Sequence, residues 1–344
     1  MLEIIAGIIG LLVIIGVIVY PAFRVMPYAY GSARLRSAKS KLISDREMES
    51  YSNKTYMDVV YHLEKKGFKE LVPLADKNFS EALVQKVLRK KSVEEINRII
   101  TFVPSQMQKF FKVLRSRSDF DIIISVLRSK ASPGYSRHII DDMFVPTDNF
   151  KDLKAIKEMS LDDFMYKLKN THFYKLVSAH MKEISDGDLR PVEKTLEQAY
   201  YRALLRESKG SRTLREYSKI QIDKYNVREA LCLCQPQFLE GGNLSESIIK
   251  KLKDAKDVKE VSQILSRTHL KDHVKDAQNI QDIVKGLFRY SKSFAKKLFQ
   301  QEPLSINPFI AYYITKQIEL KNIRIILKLI HARFGSADIR EAII

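Results

Sequence analysis

The sequence predicts an all-α protein of three helical units that follow one hydrophobic amino-terminal helix. Glycine and proline number only 12 and 10 among 344 residues, which is well below average usage and disfavours the many tight turns of a sheet-rich fold. Apolar residues make up 45% of the chain, so a disordered protein is excluded. A motif that recurs along the chain, described below, sets the number of units at three.

The first element is a predicted membrane helix. Twenty consecutive residues from Ile4 to Phe23 carry no charge, and at about 1.5 Å per residue such a helix can cross a hydrocarbon core of about 30 Å. Five basic residues then precede the acid Asp45, namely Arg24, Arg34, Arg36, Lys39 and Lys41. The positive-inside rule therefore places the rest of the chain at the cytoplasmic face of the cell membrane. A cleaved signal peptide and a buried helix are the alternatives.

The remaining chain is predicted to be helical. Residues 83–100 place Leu, Val and Ile at helical spacing with Lys and Glu between them, and residues 323–334 have the same period. The short run at 121–125 fits either a helix or a strand. Glycine and proline clusters near residues 132 and 240 punctuate the chain. They predict a membrane segment at 1–23 and helical units at 24–132, 133–240 and 241–344.

An internal repeat supports these units. Residues 222–228 and 318–324 share the pattern I-[DE]-x-x-N-[VI]-R, and the two copies lie 96 residues apart. A degenerate third copy is found at residues 119–123, with Asp121 set against Asn226. Each copy begins an apolar helix that ends soon afterwards at proline or glycine. We therefore expect three related units that each end in the same kind of helix.

The motif is expected to be structural. Asn322 lies on the same helical stripe as Ile318 and Ile326, so it is a polar group on a buried face that must find hydrogen-bond partners. Glu319 shares that face, whereas Arg324 points away from it. The residues assigned this structural role are Asp121, Asp223, Asn226, Arg228, Glu319, Asn322 and Arg324. A catalytic role is disfavoured because duplicated structural helices are more common than duplicated active sites.

The net charge of +18 predicts an acidic partner, and it is unevenly distributed. The segments 1–23, 24–132, 133–240 and 241–344 carry −1, +10, +1 and +8. The basic surface therefore belongs mainly to the first and third units. Elements that read nucleic-acid sequence, such as a zinc finger or an aromatic RNP-like strand, are missing from the sequence, so no nucleic-acid partner is expected.

The sequence also lacks recognisable catalytic motifs. It has neither of the glycine-rich phosphate-binding patterns, nor H-E-x-x-H or G-x-S-x-G, so no catalytic residue and no cofactor are expected. His269 and His273 are four residues apart, but their charged surroundings favour a solvated helix surface over a metal site. Cys232 and Cys234 would point in different directions on a helix, which is poor geometry for sharing a metal, and they are expected to be small apolar core or near-core residues.

Three segments together resemble a known family. They are the opening at 27–42, PYAYGSARLRSAKSKL, the middle segment at 197–205, EQAYYRALL, and the terminal I-E-x-x-N-I-R at 318–324. The chain from about residue 27 to 340 resembles the C subunit of archaeal and bacterial A/V-type ATP synthases, a relative of the d subunit of the vacuolar proton pump. Typical members begin near the position of Tyr28 and lack the amino-terminal span.

The resemblance implies a funnel of three similar helical bundles with pseudo-threefold symmetry. It implies a non-catalytic rotor subunit that seats on the proteolipid ring (K or c subunits) and receives central-stalk subunits of the D and F type. Such a part transmits torque between ATP turnover and ion transport. Basic side chains of the opening are interface candidates, namely Arg34, Arg36, Lys39 and Lys41. Membrane lipid is the expected partner of residues 4–23.

Two other interpretations remain open at this point. The first is a membrane-anchored, basic helical scaffold that binds nucleic acid or anionic lipid, with an affinity that falls steeply with salt. The second is a membrane-tethered hydrolase, for which the sequence offers no evident nucleophile. Ion choice, proton or sodium, would depend on ring residues that this chain does not contain.

Overall fold

The computed structural model describes residues 25–74, 80–131, 144–232 and 236–344. Throughout these ranges the regular secondary structure is helical and contains no strand, so the all-α prediction is confirmed. The run at 121–125 belongs to a helix. The predicted membrane helix at 4–23 lies outside the described residues. Among the helices that are described, none combines the length and the apolar character needed to cross a bilayer.

The helices of the first third are α1 (25–39), α2 (Asp45–Tyr51), α3 (Tyr56–Lys65), a 3-10 helix (Lys69–Leu74), α4 (Glu81–Phe102) and α5 (Ser105–Ala131). The helices of the middle third are α6 (Leu153–Glu158), α7 (Leu161–Leu168), α8 (Phe173–Ser178), α9 (Met181–Ser185), α10 (Arg190–Glu207) and α11 (Arg212–Leu231). The last third contains α12 (Glu246–Asp254), α13 (Val258–Leu265), α14 (Lys271–Val274), α15 (Ile280–Gln300), α16 (Asn307–His331) and α17 (Ser336–Ala342).

Local sequence determines where most of these helices begin. Nine of the described helices start at a polar residue whose side chain accepts a hydrogen bond from a backbone N–H three residues later, and each such cap stabilises a helix by about 0.5–2 kcal/mol. The capping residues are Ser44, Thr55, Ser80, Asp152, Ser160, Ser211, Ser245, Asp257 and Asn279. Ser160 and Asn279 form reciprocal capping boxes with the Asp three residues later.

Glycine determines two of the breaks between helices. Gly187 and Gly241 have φ values of 81° and 92°, which residues with a side chain rarely adopt. Gly242 has a different constraint, because a Cβ atom there would lie 2.2 Å from Oδ1 of Asp223. The chain after residue 240 can therefore approach α11 closely only because it lacks a side chain at that position.

A central hydrophobic core joins the long helices of all three thirds. Side chains from α1, α4, α5, α10, α11 and α15 pack around the first half of α16. Phe309, Ile310 and Ala311 of α16 are fully buried there. Gly31 of α1 lies so close to Phe309 that an added Cβ atom would be 2.4 Å from its ring. The first and last described long helices are thus in direct contact.

Three outer cores surround this centre, and each is built on the second half of a long helix. Phe120, Ile123 and Val126 of α5 pack with side chains of residues 144–200. The end of α11, including Val227, packs with residues 244–287. The end of α16, including Ile326, packs back against residues 43–88. Each of these helices therefore supplies core residues to the segment that follows it, and the last one supplies them to the segment that comes first.

Candidate partner-binding cleft

A cleft of about 360 Å³ lies between α4, α5 and α16. Its apolar floor is formed by Leu88, Ile96 and Leu114, which are buried. Its charged lining consists of four basic residues and one acid, namely Arg89, Arg117, Lys321, Arg324 and Asp121. The cleft is therefore a concave and predominantly basic surface at the point where the long helices meet.

Asp121 is shared by two arginines. Its carboxylate lies 3.2 Å from Nη1 of Arg89 on α4 and 3.9 Å from Nε of Arg117 on its own helix. Arg117 also donates to Oε1 of Glu197 at 2.6 Å, and Arg228 lies 3.5 Å from the other oxygen of the same carboxylate. Charges of α4, α5, α10 and α11 are thereby connected in one chain of ion pairs along the side of the cleft.

Glu197 connects two arginines of this ion-pair network, Arg117 and Arg228. Burial disfavours its charged form, but the hydrogen bond from Arg117 and the charges of Arg117 and Arg228 outweigh burial and hold its pKa below the usual range. Burial likewise disfavours the charged form of Arg117. The hydrogen bond to Glu197 and the charge of that carboxylate outweigh burial, so the pKa of Arg117 is raised. Arg117 and Glu197 therefore both remain charged over the whole physiological pH range.

Two lysines near the cleft have a different environment. Nζ of Lys224 on α11 and Nζ of Lys321 on α16 lie 3.9 and 3.3 Å from the centre of the same Phe288 ring on α15. Burial lowers the pKa of Lys224 to about 7, with a further contribution from the charge of Lys321. Burial and the nearby Arg324 lower the pKa of Lys321 to about 8. Neither ammonium group forms an ion pair with any carboxylate of the described residues.

The repeated polar residues lie on α11 and α16 with buried partners. Asn226 accepts from the backbone N–H of Leu239 at 2.8 Å and donates to its carbonyl oxygen at 2.9 Å. Asn322 makes the same pair of bonds to the main chain of Ile344, at 3.0 and 3.3 Å. Both asparagines are nearly inaccessible, with 1 and 2% of their surface exposed. Each joins its helix to a later segment of chain.

The acidic residue of each motif also binds backbone. Asp223 accepts from the N–H groups of Asn243 and Leu244 at 2.9 and 3.1 Å. Glu319 accepts from the N–H of Ile43 at 3.0 Å, across 276 positions of sequence. The arginine of each motif points elsewhere: Arg228 faces Glu197, and Arg324 donates to Glu81 on α4 at 2.9 Å.

The first copy of the motif differs from the register predicted from sequence. Asp121 is about one third exposed and serves the cleft, whereas Asp119, two positions earlier, is buried. The carboxylate of Asp119 accepts hydrogen bonds from the hydroxyl of Thr147 and from Nδ2 of Asn149, the latter at 2.9 Å. Asp119 thus joins α5 to a later segment of chain, as Asp223 joins α11.

The four basic interface candidates lie along α1 and just beyond its end, and all are exposed. Nε of Arg34 donates to the hydroxyl of Tyr30 at 3.0 Å, and Nζ of Lys39 lies 3.8 Å from the centre of the Phe299 ring. Arg36 and Lys41 are also exposed. None of the four lines the cleft. The sequence did not predict a binding surface at the residues that do line it.

Several residues of the cleft and of the adjoining ion-pair network gave only weak signals in the sequence. Arg89 belongs to a basic run that is typical of a solvated face, and Lys321 occupies a variable position of the repeated motif. Glu197 was part of the segment that carried the family resemblance. Their association depends on helices that are far apart in sequence, so no local pattern identifies it.

The prediction for the cysteines is wrong at the one position that the structure describes. Cys232 is exposed at the end of α11 rather than buried, while Cys234 lies outside the described residues. His269 is exposed and His273 is half-buried, and both rings contact Tyr290, at 5.3 and 5.5 Å between ring centres. In the described parts of the chain, no group of three or more His, Cys, Asp or Glu side chains is placed to hold a metal ion.

The fold and the cleft define a class of protein: an all-helical protein whose long helices meet at a charged, concave surface. The comparisons assign the family. Residues 32–342 match the family model described as "ATP synthase (C/AC39) subunit", and the chain belongs to that family. The resemblance inferred from the sequence is thereby confirmed, as is the prediction of an accessory rather than a catalytic subunit.

Three archaeal relatives align with this chain over most of their length. The C subunit of the A-type ATP synthase of Pyrococcus horikoshii is 25% identical over 342 residues, covering 92% of this chain and 90% of the relative. The corresponding subunits of Methanobrevibacter smithii and Methanosphaera stadtmanae are 25 and 21% identical. Those alignments cover 96 and 95% of this chain, and 93 and 90% of the relatives.

Proposed function

We propose that this chain is the non-catalytic central-rotor subunit of an A/V-type ATP synthase, which seats on the proteolipid ring and couples the central stalk to it. The chain then transmits torque, so that ATP turnover drives ion transport or is driven by it. It would act at the cytoplasmic face of the cell membrane. Family membership supports a place in the complex, and the contacts between the long helices support the mechanical role.

The observation that carries the proposal is the cyclic sharing of helix ends. We propose three units at 24–132, 133–240 and 241–344 in a pseudo-threefold arrangement, each of which contributes its last long helix to the core of the next. Rotating one unit against another would expose apolar side chains on both sides of the contact, including Ile123, Val227 and Ile326, which are buried. Such a body resists twisting, which a torque-transmitting part requires.

The repeated polar residues contribute to this stiffness. Asn226 and Asn322 each bind both the N–H and the main-chain oxygen of one residue. Sliding the helix by one residue would therefore break two buried hydrogen bonds at once. Leucine at either position would tolerate such a shift. We therefore assign to the motif the task of fixing each long helix in one register.

The basic outer surface is proposed to face the ring. Arg34, Arg36, Lys39 and Lys41 are exposed directly after the uncharged segment 4–23, where acidic ring loops or anionic head groups would be met. We further propose that residues 4–23 enter the lumen of the ring or lie along its rim. A membrane helix outside the ring would collide with the stator on each rotation.

Copurification tests the proposed function directly. The full-length chain, tagged at its carboxyl end, is isolated from its native membrane and its associated proteins are identified. We expect the large ATPase A and B subunits, the proteolipid and the D- and F-type stalk subunits. Recovery of nucleic acid or anionic lipid alone, without these subunits, would contradict the rotor assignment and favour the basic scaffold.

Two variants refine the test. In a background with serine at Cys232 and Cys234, Ile14→Cys should cross-link to the proteolipid, and cross-linking to the stator would exclude the proposed position. Replacing Arg34, Arg36, Lys39 and Lys41 by Gln should weaken attachment to the ring. The matched control removes four exposed lysines of the middle unit, Lys154, Lys167, Lys169 and Lys175, and should leave attachment unchanged.

A further inference from the structure

The two full copies of the repeated motif bind their backbone partners in different ways. On α11, Asn226 binds Leu239, and Asp223 accepts from the N–H of Leu244 at 3.1 Å. Both partners belong to one stretch of chain, which continues at the cap residue Ser245 into α12. The contact at α11 is therefore made by a single loop that is covalently joined to a helix on each side.

On α16 the corresponding partners come from the first and last thirds of the sequence. Asn322 binds Ile344, whereas Glu319 accepts from the N–H of Ile43. Ile43 directly precedes Ser44, the cap residue of α2, just as the loop at α11 leads into the cap of α12. The contact that one loop makes at α11 is thus divided between two separate segments at α16.

Residues 336–344 add contacts of their own to the first third of the chain. Arg340 donates from Nε to Oγ of Ser52 at 3.1 Å and from Nη2 to Oδ1 of Asn53 at 3.0 Å. Ile339 is 2% exposed and packs in the core that α2 and α3 share with the end of α16. The segment is therefore attached to α2 and its neighbourhood by both polar and apolar contacts.

Lys292 of α15 connects the two segments directly. Its Nζ donates to Oδ1 of Asp45 and to the main-chain oxygen of Ile344, each at 2.8 Å. Asp45 is the first residue of α2, so one ammonium group joins the start of that helix to the segment that follows α17. Every contact between the two segments is non-covalent, and all of them are lost if the segments move apart.

We propose that residues 336–344 act as a latch that holds α2 and α3 against the end of α16, and that the folded protein opens reversibly at this junction. Opening separates the latch from α2 and uncovers Ile323 and Ile326 of α16, which are buried in the shared core. The same motion is not available at α11. Its loop stays joined to helices on both sides when hydrogen bonds break, so the two partners remain close together.

The rest of the body keeps its structure when the latch opens. The first half of α16 lies in the central core, and α4 is joined to α16 by bonds outside the latch. The hydroxyl of Tyr312 donates to Glu95 at 3.0 Å, and Nε2 of Gln317 donates to the hydroxyl of Ser92 at 2.8 Å. Opening is therefore a local event of α2, α3 and the latch. In the proposed rotor, this junction is the part that yields while the central core stays intact.

Hydrogen–deuterium exchange of the full-length chain, read by mass spectrometry, tests the proposal. Residues 43–65 and 336–344 should become accessible in the same opening event. Lys292→Gln and Arg340→Gln should each accelerate exchange about tenfold in both regions, because each variant loses charge-assisted hydrogen bonds across the junction. Exchange in the loop 239–244 should stay at the wild-type rate. The matched control is Lys296→Gln, which removes the same charge from an exposed position one turn further along α15 and should change neither region.

Each result has one meaning. Faster exchange in both regions, with 239–244 unchanged, supports the latch. Faster exchange in 336–344 alone would show that this segment frays without opening the junction, and it would overturn the proposal. Equal acceleration throughout the chain would indicate lower global stability and would overturn it as well, as would unchanged exchange in both regions. None of these results alters the rotor assignment, which copurification tests separately.

Covalent closure of the junction provides an independent measurement. In the background with serine at Cys232 and Cys234, Asn53→Cys/Arg340→Cys places two thiols where the native side chains are in contact. A short bismaleimide joins them. The cross-linked protein should exchange more slowly in both regions than the same variant with its two thiols blocked separately. Equal exchange in the two preparations would mean that the junction does not open, and the proposal would fail.

Discussion

The side-chain amide of Asn226 forms two hydrogen bonds with the peptide groups of Leu239, one in each direction, at 2.8 and 2.9 Å. Asn322 binds Ile344 in the same way. Leu239 and Asn226 are both buried, so removing the amide leaves the backbone groups of Leu239 without these partners in a poorly hydrated position. Together with Asp223, which binds Asn243 and Leu244, this side chain attaches the loop after α11 to its helix.

Asn226→Ala should destabilise the protein by about 2–4 kcal/mol, since two buried backbone groups lose their partners. Asn226→Asp should be intermediate, because it still accepts from the N–H of Leu239 but cannot donate to its carbonyl oxygen. Equilibrium unfolding in urea measures both changes. Asn97→Ala, at an exposed residue of α4, is the control. Equal losses at positions 97 and 226 would contradict the role of the buried pair.

Gly242→Ala should also destabilise the protein, by about 1–3 kcal/mol, because the new methyl group would overlap the carboxylate of Asp223. The loop would have to withdraw from α11 and release the N–H groups of Asn243 and Leu244. Gly210→Ala is the matched control: its Cβ atom meets no neighbour within 4 Å, and the change should be neutral or slightly stabilising. Thermal unfolding of the two variants compares them, and a stable Gly242→Ala protein would argue against close contact at this site.

The Arg117–Glu197 pair should show strong energetic coupling. A double-mutant cycle with Arg117→Met and Glu197→Gln should give an interaction free energy of about 1–3 kcal/mol, because both side chains are partly buried and joined at 2.6 Å. The same cycle at Lys90 and Glu94, an exposed pair at 3.9 Å, should give about 0.3–0.5 kcal/mol. Similar coupling at the two pairs would show that the cleft network adds little to stability.

Removing the lysine pair should stabilise the isolated chain in a pH-dependent manner. The folded-state pKa values of Lys224 and Lys321, about 7 and 8, lie below the unfolded value of 10.5, so the unfolded state binds more protons between pH 7 and 10. Wild-type stability therefore gains from these groups as pH rises through that range. The double variant Lys224→Met/Lys321→Met should therefore be more stable than wild type at pH 7. The expected difference is a few kcal/mol, because each unit of pKa lowering in the folded state costs about 1.4 kcal/mol of stability.

That difference should shrink steadily towards pH 10, where the lysines of the unfolded chain also lose their charge. Denaturant titrations of both proteins at several pH values measure it. Buried tyrosines with raised pKa, such as Tyr201, oppose this trend at high pH, but they are common to both proteins and cancel in the comparison. A constant difference across the range would mean that the lysines are not destabilised by burial.

The general fold was accessible from the sequence because helical spacing and capping residues act locally. Asn322 could be recognised as a polar group on an apolar stripe, but its partner Ile344 could not, since that contact depends on how the chain returns to the helix. The register error at Asp121 has a similar cause. Asp119 and Asp121 both precede apolar runs, and only the distant Thr147 and Asn149 select the residue that is buried.

The lysine pair was beyond sequence reasoning for a further reason. Lys224 and Lys321 each look like an ordinary charged residue of an amphipathic helix, and Phe288 looks like an ordinary apolar one. Their shared position exists only once α11, α15 and α16 have packed together. Two buried ammonium groups on one aromatic ring leave no periodic pattern in the sequence, because their proximity to that ring arises only when the helices assemble.

The hydrogen bond between Glu319 and Ile43 spans 276 positions, and the apolar core beside it joins α16 to α2 and α3. Contacts between segments so distant in sequence carry a large loop-closure entropy and tend to form late in folding. During synthesis, the segment around Ile43 leaves the ribosome long before α16 exists. The apolar side chains of α2 and α3 therefore stay exposed until α16 has been synthesised and packs against them.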